Sequence, residues 1–145
     1  MYILDSSAIA IILKRLRERS AEILEDKTTL DLARYELGSV IWKECTLEEL
    51  ISPEEAVNKA EDMAKILEIT KNDKIRSSKD FKGVMKHATG LKLTFYDASY
   101  LHVAKSKGLT LVTEDQELSE KAKRINIKAI TVSELLKTHS PNPPQ

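Results

Sequence analysis

The sequence predicts an α/β protein: a three-layer α/β/α sandwich around a mostly parallel central sheet. Two observations lead there. Short apolar, β-branched runs alternate along the chain with segments of helical periodicity, the pattern of successive βαβ units. No linker and no internal repeat interrupts the 145 residues, a length that suits one domain. A single domain over residues 1–138 is therefore expected, with a disordered SerProAsnProPro-containing tail at 139–145.

Each element has a local reason. Residues 2–4 are apolar and form the first strand, and a helix begins at Ser6 and runs, with or without a break, to about Leu24. Lys27 to Leu32 reads as the second strand. Ala33, Leu37, Val40, Ile41 and Glu44 share one stripe of a helix over Ala33 to Cys45. Ser52-Pro53-Glu54-Glu55 carries three helix-start signals: a serine cap, proline at the first helical position and a glutamate that closes a capping box. Apolar spacing carries that helix to Leu67, and Leu67 to Thr70 reads either as its extension or as a strand. Ser78 to Thr89 is helical, with Gly90 as its stop. Thr94 caps the next helix, which ends near Gly108. Leu109 to Thr113 is a strand, Asp115 to Arg124 a short helix, Ile127 to Thr131 the last strand and Val132 to Lys137 the last helix.

Composition narrows the function classes. The lone Cys45 permits no disulfide within the chain, which suits a reducing, cytoplasmic home. The longest apolar run, Ala8 to Leu13, is far too short to span a membrane, and no basic leader precedes it. With four glycines and neither a P-loop nor a GxGxxG, a phosphate-cradling loop is not expected. His87, His102 and His139 have no zinc or Ser-His-Asp spacing, so each reads as a surface or packing residue. Net charge is zero, but its distribution is uneven. Lys71 to Lys92 carries +5, Lys14 to Arg19 carries +3 and Glu44 to Glu68 carries −6. Such asymmetry suits a basic surface for an anionic ligand, and equally suits ordinary solvated helix faces.

Four acids stand out by position. Asp5 ends the first strand, Asp115 follows the fourth, Asp97 lies in a helix's first turn and Glu36 lies in mid-helix. In a parallel sheet the ligand site lies off the carboxyl ends of the strands at a topological switch point. Asp5 and Asp115 follow strands directly and so belong to that edge. Each aspartate also has a simpler account as a helix cap or capping-box residue. For the helix that starts at Gln116, both Thr113 and Asp115 are candidate caps. Glu36 has no capping account: it sits between Ala33, Leu37 and Val40, where an unpaired buried carboxylate is costly. Brought together, four carboxylates repel and raise one another's pKa unless a cation neutralises them. Oxygen-only ligands of this kind suit Mg²⁺ or Mn²⁺.

The N-terminal YILDSS, the helix-borne Glu36, the YDASYLHVAK helix and the LVTED strand end resemble, in order and spacing, the PIN domain of VapC-type toxins. The resemblance covers almost the whole chain. It implies metal-dependent cleavage of single-stranded RNA, with Asp5, Glu36, Asp97 and Asp115 as the acidic quartet holding Mg²⁺ or Mn²⁺, and Ser7 and Thr113 as hydroxyls supporting them. It also implies a small antitoxin partner and a homodimer. Two features depart from the family pattern: the extra acid Glu114 beside Asp115, and a net charge that is not basic. The competing reading is a non-catalytic module that keeps the fold and acts through protein or RNA contacts. Interface use and core packing account equally well for Trp42, beside Cys45, and for the amphipathic helix from Ser52 to Leu67.

Overall fold

The structure is a computed structural model that describes residues 1–139. Its strands are β1 (Tyr2–Leu4), β2 (Thr28–Leu30), β3 (Lys71–Asp73), β4 (Thr110–Val112) and β5 (Ala129–Ile130). Its helices are α1 (Ser6–Leu16), α2 (Ser20–Leu24), α3 (Leu32–Thr46), α4 (Pro53–Leu67), α5 (Ser78–Leu91), α6 (Phe95–Lys107), α7 (Gln116–Arg124) and α8 (Val132–His139). The five strands form one sheet in the order β3-β2-β1-β4-β5, every pair parallel. This is the three-layer architecture the sequence implies.

Alternation along the strands divides the core in two. Leu4 and Val112 join Ala8, Ile9 and Ile12 of α1, Leu37 of α3 and Leu135 of α8 in one cluster. Ile3 and Leu111, their immediate neighbours, join Tyr100, Leu101 and Ala104 of α6 and Leu118 of α7 in the other. Successive strand residues point to opposite faces, so a sheet covered on both sides needs unbroken apolar strands. The capping box at Ser52 forms as expected: Glu55 N donates to Ser52 Oγ at 3.1 Å, and Ser52 N donates to Glu55 Oε1 at 3.3 Å.

The break left open in the first helix is present: a 3-10 turn at Arg17–Arg19 separates α1 from α2, with Arg17 at φ 47°. The structure corrects several other expectations. Leu32 starts α3 rather than ending β2. Leu67 closes α4, and the strand near it is β3, a polar Lys-Asn-Asp segment. An edge strand pairs through its backbone and needs no apolar side chains, so hydrophobic periodicity could not reveal it. Gly90 lies inside α5, and Lys92 in the left-handed conformation (φ 56°) ends the helix instead. Val40 and Trp42 are exposed, so neither is a core residue. His139 belongs to α8, and the remainder of the expected tail, 140–145, lies outside the described residues.

His102 proves to be a packing residue. Its Nε2 lies 2.9 Å from Asp80 Oδ1, tying α6 to α5. A Cβ on Gly83 would fall 2.5 Å from His102 Cε1, so the glycine is what lets the ring lie against α5. No helix among the described residues is long and apolar enough to cross a membrane.

Candidate functional site

The strand order reverses at β1, since the chain builds β2 and β3 to one side and then crosses over to β4 on the other. Off the carboxyl ends of β1 and β4 lies Asp5, 5% exposed and held by three donors. Ser7 Oγ donates to Oδ1 at 2.7 Å, Ala8 N donates to Oδ1 at 3.0 Å, and Thr113 Oγ1 donates to Oδ2 at 2.5 Å. Asp5 is therefore the cap of α1 and something more. A carboxylate offers about four lone-pair sites. Three are used here, which leaves one, on Oδ2.

Both hydroxyls have their protons committed. Ser7 Oγ gives its proton to Asp5 and accepts from Glu114 N at 3.0 Å. Thr113 Oγ1 gives its proton to Asp5 and accepts from Asp115 N at 3.0 Å. The 3.3 Å approach of Ser7 Oγ to Thr113 Oγ1 then has no proton left to share. This network ties β1 to the β4–α7 turn. It also resolves the double cap. Asp115 caps α7, accepting from Leu118 N at 3.1 Å, and Thr113 is released to serve Asp5. The extra acid Glu114 turns away to α8, where its Oε1 accepts from Val132 N at 3.0 Å.

Glu36 sits at the border of the buried stripe of α3, half-buried. Its partner is neither lysine nor arginine. Tyr100 Oη donates to Glu36 Oε1 at 2.8 Å. Tyr100 is 1% exposed and belongs to the core under α6, whereas α3 packs on the other side of the sheet. The bond thus joins the two helical layers across the strand ends. Asp97, in the first turn of α6, donates its N–H to Thr94 Oγ1 at 3.1 Å, which completes that cap, and its carboxylate has the Thr94 side chain as a hydrogen-bond partner.

Electrostatics link the four acids. Burial holds the Asp5 carboxyl above its usual range despite its three hydrogen bonds, and the Asp115 charge adds to the rise. Burial also raises Glu36, opposed by the Tyr100 hydrogen bond and reinforced by the Asp5 charge. Asp97 is pushed up to about 6, first by burial and then by the charges of Asp115, Glu36 and Asp5. The charges of Asp115, Glu36 and Asp5 all reach Asp97, the Asp115 charge reaches Asp5 and the Asp5 charge reaches Glu36, so the four acids share one electrostatic neighbourhood.

The family model for the PIN domain matches residues 2–124. The chain is a PIN-domain protein. Exonuclease VapC9 of Pyrobaculum aerophilum is 33% identical over 132 residues, covering 90% of this chain and 93% of that protein. Ribonuclease VapC3 of the same organism is 34% identical over 128 residues, covering 82% of this chain and 92% of that one. The crystal structure of PAE2754 from Pyrobaculum aerophilum superposes with a TM-score of 0.76 at 34% identity, covering 94% of each chain.

Whether this PIN domain's residues suit a divalent cation can be judged from the donors. Three carboxylates with raised pKa values, Asp5, Glu36 and Asp97, beside the charge of Asp115 fit a hard dication in chemistry and in sign. Among the described residues no three His, Cys, Asp or Glu side chains already stand close enough to cage an ion. Mg²⁺ does not need such a cage, since it keeps several waters and takes one or two carboxylates directly. The free lone pair of Asp5 and the half-buried carboxylate of Asp97 would suit those two places.

Tyr100 is a functional residue that sequence reasoning missed. Within YDASYLHVAK its spacing matches the buried stripe of a helix, and nothing local marks its hydroxyl as a partner for Glu36. Tyr100→Phe is expected to keep the fold and to weaken Mn²⁺ binding about tenfold, the usual cost of losing a group that orients a ligand. Titration of the variant by calorimetry, with Glu36→Gln as the second arm of a double-mutant cycle, checks it. Additive losses would sever Tyr100 from Glu36.

Proposed function

We propose that this PIN domain is a metal-dependent endoribonuclease that cuts single-stranded RNA, and that it is the toxin of a toxin–antitoxin pair. The observation that carries this reading is that Asp97 lies within reach of the charges of Asp115, Glu36 and Asp5, with Asp5 and Asp115 at the strand ends where the order switches between β1 and β4. The names of the relatives, an exonuclease and a ribonuclease, support nuclease chemistry.

In this reading Asp5 and Asp97 would be the central ligands of Mg²⁺ or Mn²⁺, and Glu36 and Asp115 would hold it directly or through water. When bound, the ion supplies an activated water and a counter-charge for the leaving oxygen. Ser7 and Thr113 fix the Asp5 carboxylate so that its one free lone pair faces the site. Tyr100 fixes Glu36. Cutting within the strand, in the cytoplasm, as a homodimer restrained by a small antitoxin, completes the proposal.

Of the two basic segments, the one at Lys14 to Arg19 is poorly placed for RNA at this site. α1 starts beside Asp5 and leads away from it, which carries Lys14 and Arg17 roughly 15 Å off at 1.5 Å per residue. The Lys71 to Lys92 segment adjoins the site through Lys74, as described below.

Incubation with a circular single-stranded RNA tests the proposal, because a circle has no end for an exonuclease. Linearisation in Mg²⁺ or Mn²⁺, abolished by chelation, is the expected result. An intact circle beside degraded linear RNA would replace endonuclease with exonuclease. No cleavage of either RNA, with no thermal stabilisation by Mn²⁺, would leave the non-catalytic module.

A further inference from the structure

Two of the four acids are preceded by a tyrosine: Tyr35 stands before Glu36 and Tyr96 before Asp97. Both rings are turned outward, Tyr35 being 70% and Tyr96 61% exposed. Large aromatic surfaces left in water on a small protein call for a reason. Among the described residues neither ring stacks on another aromatic ring.

The two tyrosines line one groove. A cleft of about 540 Å³ contains Tyr35 and Tyr96 together with Ser6, Ser39 and Glu36 itself. A second cleft of about 300 Å³ continues from the same two tyrosines to Phe95 and Lys74. The groove therefore starts at Glu36, passes two exposed aromatic rings and ends at Lys74, where the neighbouring Asp73 and Asp31 are paired with Lys107 and Arg34. Lys74 makes no ion pair with any described carboxylate. It belongs to the segment from Lys71 to Lys92 that carries +5.

From this arrangement we infer that Tyr35 and Tyr96 form a base-stacking subsite, which takes an unpaired nucleobase next to the phosphate being cut. The inference rests on the nuclease reading above and specifies how its substrate is held. A nucleotide whose phosphate lies at the carboxylates must lay its base on the adjoining surface, and here that surface is the two rings. Base–aromatic stacking tolerates any base, because every base has a π-face, and it requires that base to be out of a duplex. The groove thereby selects single strands by the unpaired state of the base rather than by its identity. Lys74 is placed to meet a phosphate further along the same strand. The lining offers a base both kinds of contact it needs, polar groups for its edge (Ser6, Ser39, Glu36) and apolar or aromatic surface for its face (Leu32, Val40, Tyr35, Tyr96).

The test compares Tyr35→Ala, Tyr96→Ala and the corresponding Trp variants on a short single-stranded RNA in Mg²⁺. The same RNA is also made with an abasic nucleotide, or with 2-aminopurine, at each position near the cut. Both tyrosines are exposed, so all variants should melt like the wild type. Each alanine variant is expected to lose kcat/KM by roughly tenfold on intact RNA. On RNA that is abasic at the stacked position the loss should vanish, because the wild type has already lost the contact. Trp should restore the rate, and 2-aminopurine at that position should be quenched by the wild type and not by the alanine variants. Alanine variants with wild-type kcat/KM and undiminished quenching would overturn the inference while leaving the nuclease intact. So would normal RNA cutting combined with lost binding of a protein partner, which would make the groove a protein-docking face. If the wild type cuts no RNA at all, the nuclease reading itself falls, and the subsite with it.

Discussion

Asp5→Asn is expected to lower RNA cleavage by at least about a hundredfold while leaving the fold intact. The activity loss follows from charge: Asn offers a neutral amide where the site supplies the one anionic lone pair left over from its own hydrogen bonding, and metal-assisted charge stabilisation contributes several kcal/mol, each 1.36 kcal/mol being tenfold in rate. The fold survives because Asn caps helices as well as Asp does, so Ala8 N and Ser7 Oγ keep an acceptor. At the other oxygen Thr113 Oγ1 has a lone pair to receive the amide, beyond the one that accepts from Asp115 N. The substitution also removes a charge that burial disfavours. The metal-free variant should thus melt at or above the wild-type temperature, and Mn²⁺ should no longer stabilise it. Wild-type cleavage by purified Asp5→Asn would show that the activity belongs to a contaminant or to another site.

The second large effect is a pH dependence that metal reverses. In the metal-free protein Asp97 titrates near 6 against an ordinary value of 3.8, raised by burial and by the charges of Asp115, Glu36 and Asp5. The folded state then holds the proton more tightly than the unfolded state, so stability is lost as pH rises between about 4 and 6. Asp5 and Glu36 shift in the same direction and add to the trend. Asp97 is only half-buried, so solvent screening cuts its share to on the order of 1 kcal/mol, a few degrees in Tm. Asp97→Asn should flatten the profile. Mn²⁺ binds the deprotonated carboxylates, so its stabilisation should be absent near pH 4 and full above about 6. At a hundred times its Kd that stabilisation is about 2.7 kcal/mol. Calorimetric melts from pH 4 to 8, with and without Mn²⁺, check both halves. A metal-free Tm that rises steadily over that range would refute the electrostatic coupling of the quartet.

How much of this was legible beforehand varied with the range of the interaction involved. Caps are written within four residues, so Ser52, Thr94 and Asp115 were readable where they stood. The apolar strands β1 and β4 and the helix stripes on Leu37 and Leu101 carry their own periodicity. β3 does not: its Lys-Asn-Asp text is polar because only its backbone joins the sheet. Gly90 looked like a stop, yet nothing in local sequence said that Lys92 would take the left-handed turn. Glu36 was recognisable as an acid in need of a partner, but that partner lies 64 residues away on the opposite helical layer.

The sequence by itself determined the layered α/β architecture and which acids lie at strand ends and helix starts, because periodicity and capping are short-range. The tertiary structure decided what those acids do. It freed Thr113 from capping to serve Asp5, sent Glu114 to α8, joined Tyr100 to Glu36 across the sheet and placed Tyr35 and Tyr96 on one groove. Each of these depends on the crossover between β3 and β4, which brings β4 beside β1. Contacts that close loops of this length follow from packing the whole chain, and no local pattern encodes them.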